Sequence, residues 1–267
     1  MFSNMIIGRY MPGDSWIHRL DARTKLLLSI AFIFVVFFAN NVIGYALAAA
    51  FTLLAIMMTG LGIGVFLRGL RPLVLLMFIT TLLQLFFVQT GDVLVHWAFI
   101  TITTDGVINS IVVFVRFMLI IMFSTILTLT TQPLAVADGM ESLLKPFKKL
   151  GLPVSELALM LSIALRFVPT LMDEAQSIMN AQRARGVRFN EGSLMARIKS
   201  FVPLLIPLFV NAIKRAIELG DAMEARGYRG GDQRTKYRIL TWHTQDTVAM
   251  IGFVIFTIAL IATRWMM

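Results

Sequence analysis

Two Ala-Arg-Gly tripeptides, Ala184-Arg185-Gly186 and Ala225-Arg226-Gly227, stand 41 residues apart. Arginine carries a planar fork of N–H donors that stays charged at any physiological pH. Flanked by Ala and Gly, that fork can enter a pocket without steric interference and make bidentate bonds to carboxylates or carbonyls. A single copy needs no function, because a basic residue suits the negative end of a helix dipole and Gly ends helices. The second copy repeats the flanks as well, with Ala175/Ala216, Ile178/Leu219, Ala181/Ala222 and Arg188/Arg229 aligning at the same offset. Two equal plugs imply two sockets, and hence a dimeric or pseudo-dimeric partner.

The other reactive residue types do not converge on a catalytic site. His18, His96 and His243 are far apart without HExxH spacing, there is no Gly-x-x-x-x-Gly-Lys-[Ser/Thr] phosphate loop, and cysteine is absent. ATP hydrolysis by this chain, thiol chemistry, a metal site and a cofactor are therefore not expected. His18 and Asp21 are expected to fix the start of the first apolar segment by local hydrogen bonds. Trp16, Ile17 and Leu20 beside them have the composition of an interfacial anchor.

Each arginine plug needs a long element behind it. Leu157, Leu161, Ala164, Val168, Leu171, Ala175 and Ile178 step by alternating fours and threes, and so do Val202, Ile206, Phe209, Ile213, Ala216, Gly220 and Met223. That period predicts two amphipathic helices, with Asp173, Glu174 and Ser177, or Lys214, Arg215, Glu218 and Asp221, turned away from the apolar seam. Small residues toward each C-terminal end (Ala175, Ala181, Ala216, Gly220, Ala222) would let the two helices cross closely. Gly186 and Gly227 are natural C′ terminators.

The rest of the chain is a membrane protein. Of 267 residues, 58% are hydrophobic and 15% charged, against about 25% charged in soluble domains. Five stretches approach the roughly 20 apolar residues a crossing needs: Leu26–Ala39, Val42–Leu61, Pro72–Val88, Val107–Leu129 and Thr247–Ile261. Lys and Arg orient them. They precede the first span, lie between the second and third, and crowd residues 145–238, whereas Asn40-Asn41 and Gln89–Gly106 contain none. The N-terminus and the region carrying both tripeptides are thus expected in the cytoplasm and the C-terminus outside. The same rule makes the runs around Leu161 and Phe209 surface helices, since crossing would export the basic Arg183–Lys199 segment.

The fold class that follows is an all-α integral membrane protein. It has an N-terminal interfacial segment (1–25), four spans (26–129), a cytoplasmic region of two long amphipathic helices and a short one (130–240), and a last span (247–267). The net charge of +9 belongs to cytoplasmic loops facing anionic lipid rather than to nucleic acid. Arg116, the one ionisable residue well inside a predicted span, is expected to pair with a carbonyl or reach the interface.

The stretch YMPGDSWIHRLDARTKLL, beginning at Tyr10, resembles the opening of the transmembrane T subunits of energy-coupling factor transporters. In that family a Pro-Gly-x-Ser precedes a His-Arg-Leu-Asp-Pro-Arg-like segment and a Lys-Leu at the first span. Ala22 stands here where Pro is common. The two tripeptides resemble the family's paired coupling motifs, so the resemblance covers essentially the whole chain. It implies a noncatalytic scaffold in a prokaryotic plasma membrane, joining two cytoplasmic ABC-type ATPases to a membrane S component that captures a vitamin or metal ion. Arg185 and Arg226 would be the ATPase anchors, supported by Ala184, Gly186, Ala225 and Gly227. The apolar seams, through Leu161, Ala164, Val168, Phe209 and Ile213, would face the S component. A stand-alone secondary transporter or channel is the alternative class. It would need broken helices or buried ionisable residues near the bilayer midplane, and the spans predict none beyond Arg116, which has no intramembrane Asp or Glu as a relay partner.

Overall fold

The computed structural model describes residues 10–88, 90–97, 100–151, 153–189, 191, 193–228, 230 and 240–265. Its helices are α1 (Ala22–Val35), α2 (Val42–Thr59), α3 (Ile63–Leu70), α4 (Val74–Phe87), α5 (Thr104–Thr130), α6 (Pro133–Leu144), α7 (Val154–Ala184), α8 (Leu194–Ala225) and α9 (Thr244–Trp265). The chain forms two compact units, one of residues 1–140 with 240–267 and the other of residues 141–239.

The first unit is held by phenylalanine. Phe32 of α1 is fully buried and stacks on Phe123 of α5 with ring centroids 4.1 Å apart. Phe51 of α2 stacks on Phe256 of α9 at 4.3 Å, and the two pairs join through Phe32–Phe51 and Phe51–Phe123 contacts. Lipid tails are as apolar as these side chains, so close packing of flat rings, rather than escape from water, holds such helices together. α2 stops at Gly60, whose φ of +70° is the left-handed conformation that glycine takes without a Cβ penalty. α6 begins in this unit: Gly139 faces Leu26 and Ala22, where a Cβ would approach to 3.0 and 3.3 Å.

Two features differ from the sequence reading. The segment before α4 is itself helical, and α3 meets α4 at a 62° bend around Pro72, so the pair is one broken span or a re-entrant loop. The Gln89–Gly106 connection contains an antiparallel hairpin of β1 (Val93–Trp97) and β2 (Ile100–Thr103), pairing Val95 with Ile102 and Trp97 with Ile100. Its β-branched and aromatic residues carry that signal, which a reading focused on span length passes over.

Length and composition select five candidate spans: α2, α5, α7, α8 and α9, with the bent α3–α4 pair as a sixth. These are not the same five as the sequence reading. α1 has only 14 helical residues, extended by a 3-10 turn at Val36–Phe38, yet it lies at the centre of the phenylalanine core.

The second unit is built on α7 and α8, of 31 and 32 residues. α7 runs through Pro169, and α8 through Pro203 and Pro207, without a break in the helix. All three prolines are therefore helix-interior. The helices meet at Glu174, which accepts a hydrogen bond from Asn211 Nδ2 and lies 3.7 Å from Arg215 Nη2. The Arg215 guanidinium also lies 5.8 Å from the centre of the Phe167 ring. This corrects the expected seam: Glu174 and Arg215 mark the crossing instead of turning away from it. Ala181, Ala216, Gly220 and Ala222 are exposed, and a Cβ on Gly220 would meet nothing within 4 Å. The face that α8 turns inward is Leu204, Leu208, Asn211, Arg215 and Leu219.

Candidate functional site: two arginine-capped helix ends

Both long helices finish in the same backbone motif. At the end of α7, Val187 N–H donates to Gln182 O (3.0 Å) and Gly186 N–H to Arg183 O (2.9 Å). At the end of α8, Tyr228 N–H donates to Met223 O (3.0 Å) and Gly227 N–H to Glu224 O (2.8 Å). This six-to-one and five-to-two pairing is the Schellman motif, and it requires a left-handed residue at C′. Gly186 and Gly227 fill that position with φ of +88° and +73°. Arg185 and Arg226 are therefore the C-cap residues of two equivalent ends, related by the 41-residue offset seen in the sequence.

The side chains are free to act. Ala184, Arg185, Gly186, Ala225, Arg226 and Gly227 are all exposed, and among the described residues neither guanidinium has an acceptor. A Cβ on either glycine would meet nothing within 4 Å, so each arginine stands beside open space. Residues 185–193 connect the two helices, and the whole of α8 then separates the motifs, on the order of 48 Å of axial rise for its 32 residues. The two forks thus occupy separate places and suit two sockets rather than one.

The exit from the first motif is pinned. Buried Phe189 packs on Phe201 of α8 with centroids 5.5 Å apart, and the Arg183 guanidinium lies 6.0 Å from its centre. Arg188, exposed, bridges Glu191 at 2.7 Å. Its counterpart after the second motif, Arg229, lies outside the described residues. The seam residues Leu161, Ala164, Val168, Phe209 and Ile213 are all exposed, because α7 and α8 meet through other faces.

A second constellation lies at the N-terminal signature, in the other unit. The His18 Nε2–H donates to Met11 O (3.1 Å), which leaves Nδ1 as the acceptor of the Ser15 hydroxyl (2.6 Å). Gly13 lies against this ring, where a Cβ would come within 2.9 Å of Cε1, which accounts for glycine after Pro12. Lys25, buried, donates to His18 O (3.2 Å) and to Thr130 O (3.0 Å), the last residue of α5. An ammonium there satisfies an orphan carbonyl and the negative end of the α5 dipole together.

Asp21 caps α1 by accepting from Arg23 N–H (2.8 Å), and its own N–H donates to Asp246 Oδ1 (2.8 Å). Asp246, fully buried in the first turn of α9, accepts at Oδ2 from His243 N–H (2.9 Å), the half of a capping box in which the acid reaches back to the N-cap N–H. Arg23 Nη2 reaches Asp21 Oδ2 (3.1 Å) and Leu240 O (2.8 Å). His18 and Asp21 make the local bonds the sequence suggested. Ile17 and Leu20 do not face lipid; they are buried inside the protein. Asp246 escaped the sequence reading, although an acid three residues into a helix is a recognisable cap signal, and Lys25 entered it only as a basic residue at the start of the first span.

Residues 13–237 match the family model described as cobalt transport protein, CbiQ. The chain is 55% identical over 260 residues to the energy-coupling factor transporter transmembrane protein EcfT of Lacticaseibacillus paracasei, covering 97% of this chain and 98% of that one. It is 52% identical over 258 residues to the protein of that name from Lactococcus lactis subsp. cremoris, covering 97% of each. It is 48% identical over 264 residues to EcfT 1 of Listeria monocytogenes, covering 99% of each.

Proposed function

We propose a role for this chain from the premise that it belongs to the CbiQ cobalt transport protein family, and within it to the energy-coupling factor transporter transmembrane proteins. It is a multi-pass membrane subunit of a transporter. Its role is that of a noncatalytic coupling scaffold, which carries the ATP-driven motion of two cytoplasmic ABC-type ATPases to a membrane S component that binds a vitamin or trace nutrient.

The observation that carries this reading is the pair of identical Schellman ends, each presenting an exposed arginine without an acceptor among the described residues. Helix capping alone accounts for the glycines. It gives no reason for two free forks in equivalent frames, whereas a pair of ATPase grooves does. Arg185 enters one groove and Arg226 the other, with Ala184, Gly186, Ala225 and Gly227 leaving room for close approach. Leu161, Ala164, Val168, Phe209 and Ile213 form the apolar surface offered to the S component.

The same reading places the N-terminus, α6 and both arginine ends in the cytoplasm and the C-terminus outside a prokaryotic plasma membrane. Residues 130–240 then form the coupling region, and α7 and α8 lie along the membrane although their length would allow them to cross. Their basic content around Arg183–Lys199 favours this placement.

The test is copurification of the two ATPases with the chain carrying Arg185→Glu, Arg226→Glu or both. Each single change is expected to weaken association and the double change to abolish it, together with uptake. Undiminished ATPase association in the folded double variant contradicts the anchoring role.

A further inference from the structure

Arg116 stands halfway along α5, yet not halfway along the bundle around it. The α5 end at Thr130 is tied to Lys25 in the first turn of α1. Counted from that tie, the helical rise places Arg116 about 21 Å and Phe37 about 18 Å along their helices. Contacts agree: the guanidinium lies 4.8 Å from the centre of the Phe37 ring and 5.8 Å from that of Tyr45. Arg116 is therefore level with the turn between α1 and α2, while α5 continues about 18 Å beyond it. The end of α9 reaches the same turn, since Asn41 Nδ2 donates to Thr263 O at 3.1 Å, with Arg264 and exposed Trp265 next in the chain. Asn, Tyr, Trp and Arg together at one helix end have the composition of a membrane–water interface.

The donors at this level are unevenly used. Nε and Nη2 of Arg116 donate to Tyr45 Oη at 3.0 and 2.6 Å. A guanidinium has five N–H groups, so three are left without an acceptor among the described residues. No carboxylate among those residues bridges the charge. Tyr45 is only 9% exposed, and while it accepts both bonds its own hydroxyl proton has no acceptor among the described residues. The neighbouring surface is apolar and open: Phe37 is 54% and Val42 87% exposed.

We propose that Arg116 and Tyr45 form a binding site for the phosphate group of a membrane phospholipid. The free edge of the Arg116 fork meets two phosphate oxygens, a charge-assisted bidentate contact. The Tyr45 hydroxyl donates to the headgroup while its oxygen holds the guanidinium in place. The acyl chains run over Phe37, Phe38 and Val42. A cation level with the α1–α2 turn, without an acidic partner among the described residues and bordered by exposed apolar side chains, matches a lipid better than a water-soluble anion. This assignment does not depend on the coupling role proposed above.

The test uses the full chain, freed of endogenous lipid by detergent exchange and titrated with dioleoyl phosphatidylglycerol while bound lipid is counted by native mass spectrometry. Wild type is expected to hold one lipid that Arg116→Gln holds about tenfold more weakly or not at all, the loss of one charge-assisted bidentate contact. Arg116→Lys, which keeps the charge without the fork, is expected to fall between them. Where Arg116→Gln does not fold, Tyr45→Phe carries the test, since it keeps the ring and its packing and is expected to weaken the lipid severalfold. Lipid binding equal to wild type in the folded variants overturns the proposal. So does displacement of the lipid by millimolar inorganic phosphate, or an intermolecular crosslink showing a partner-protein carboxylate on Arg116 in the assembled transporter.

Discussion

The backbone N–H of Asp21 donates to Asp246 Oδ1 at 2.8 Å, joining residues 225 apart in the chain. Around this bond the first turn of α1 collects the end of α5 through Lys25, the start of α9 through Asp246, and Leu240 through Arg23. Gly139 packs on the same turn at Ala22. Met140 and Leu240 bound the two stretches of the bundle unit, and Gly139 and the Leu240 carbonyl both lie against this turn.

Asp246→Ala removes the acceptor of two backbone N–H groups, and an unsatisfied buried donor costs about 1–3 kcal/mol. The melting midpoint of the purified protein in detergent is expected to fall by several degrees. Asp246→Asn, which keeps one accepting oxygen, is expected to fall less. Equal midpoints for wild type and Asp246→Ala contradict this role of the buried carboxylate.

Lys25→Met preserves volume and leaves Thr130 O and His18 O without their donor. Hydrogen exchange is expected to rise in the last turn of α5 and in the His18 segment, while the centre of α5 around Phe123 stays protected. A uniform rise across α5 would instead indicate global destabilisation.

His18 and Gly13 form a fitted pair. Gly13→Ala places a Cβ about 3 Å from a ring held by two hydrogen bonds, and overpacking of this kind costs about 1–3 kcal/mol. Combining it with His18→Ala removes the obstacle, so the double variant is expected to be more stable than the sum of the two single effects. Strict additivity in melting midpoints argues against the contact.

The membrane class, the helix ends and their glycines were legible in the sequence because each is a local signal. Apolar runs mark spans, and Gly after a periodic stretch marks a left-handed cap. The helix-to-helix faces were less legible. The 3.5-residue pattern through Phe209 and Ile213 correctly finds an apolar stripe, but in a membrane protein such a stripe can face lipid or another subunit as readily as a neighbouring helix. The crossing instead uses Glu174 with Asn211 and Arg215, a polar choice that periodicity alone assigns to the outside. Nor could local pattern join residue 21 to residue 246, since nothing in either stretch encodes the other.

Gly186→Ala and Gly227→Ala, measured on the purified chain alone, test the caps. Positive φ penalises any side chain by roughly 1–2 kcal/mol, and no contact offsets it. Gly220→Ala, inside α8 with open space at its Cβ, is expected to be neutral or to stabilise by up to about 1 kcal/mol. Opposite signs at Gly220 and Gly227, read as melting midpoints, separate helix propensity from cap geometry.

Arg185 and Arg226 are each expected to dock into an ATPase subunit. The direct measurement is photo-crosslinking from a photoreactive amino acid at each position in turn, within the assembled transporter, with adducts identified by mass spectrometry. Both positions are expected to crosslink to a groove in an ATPase subunit, and the adduct from one is expected to persist when the other carries Glu. Adducts only to lipid, or only to the membrane substrate-binding subunit, would rule out docking of the two arginines in the ATPases.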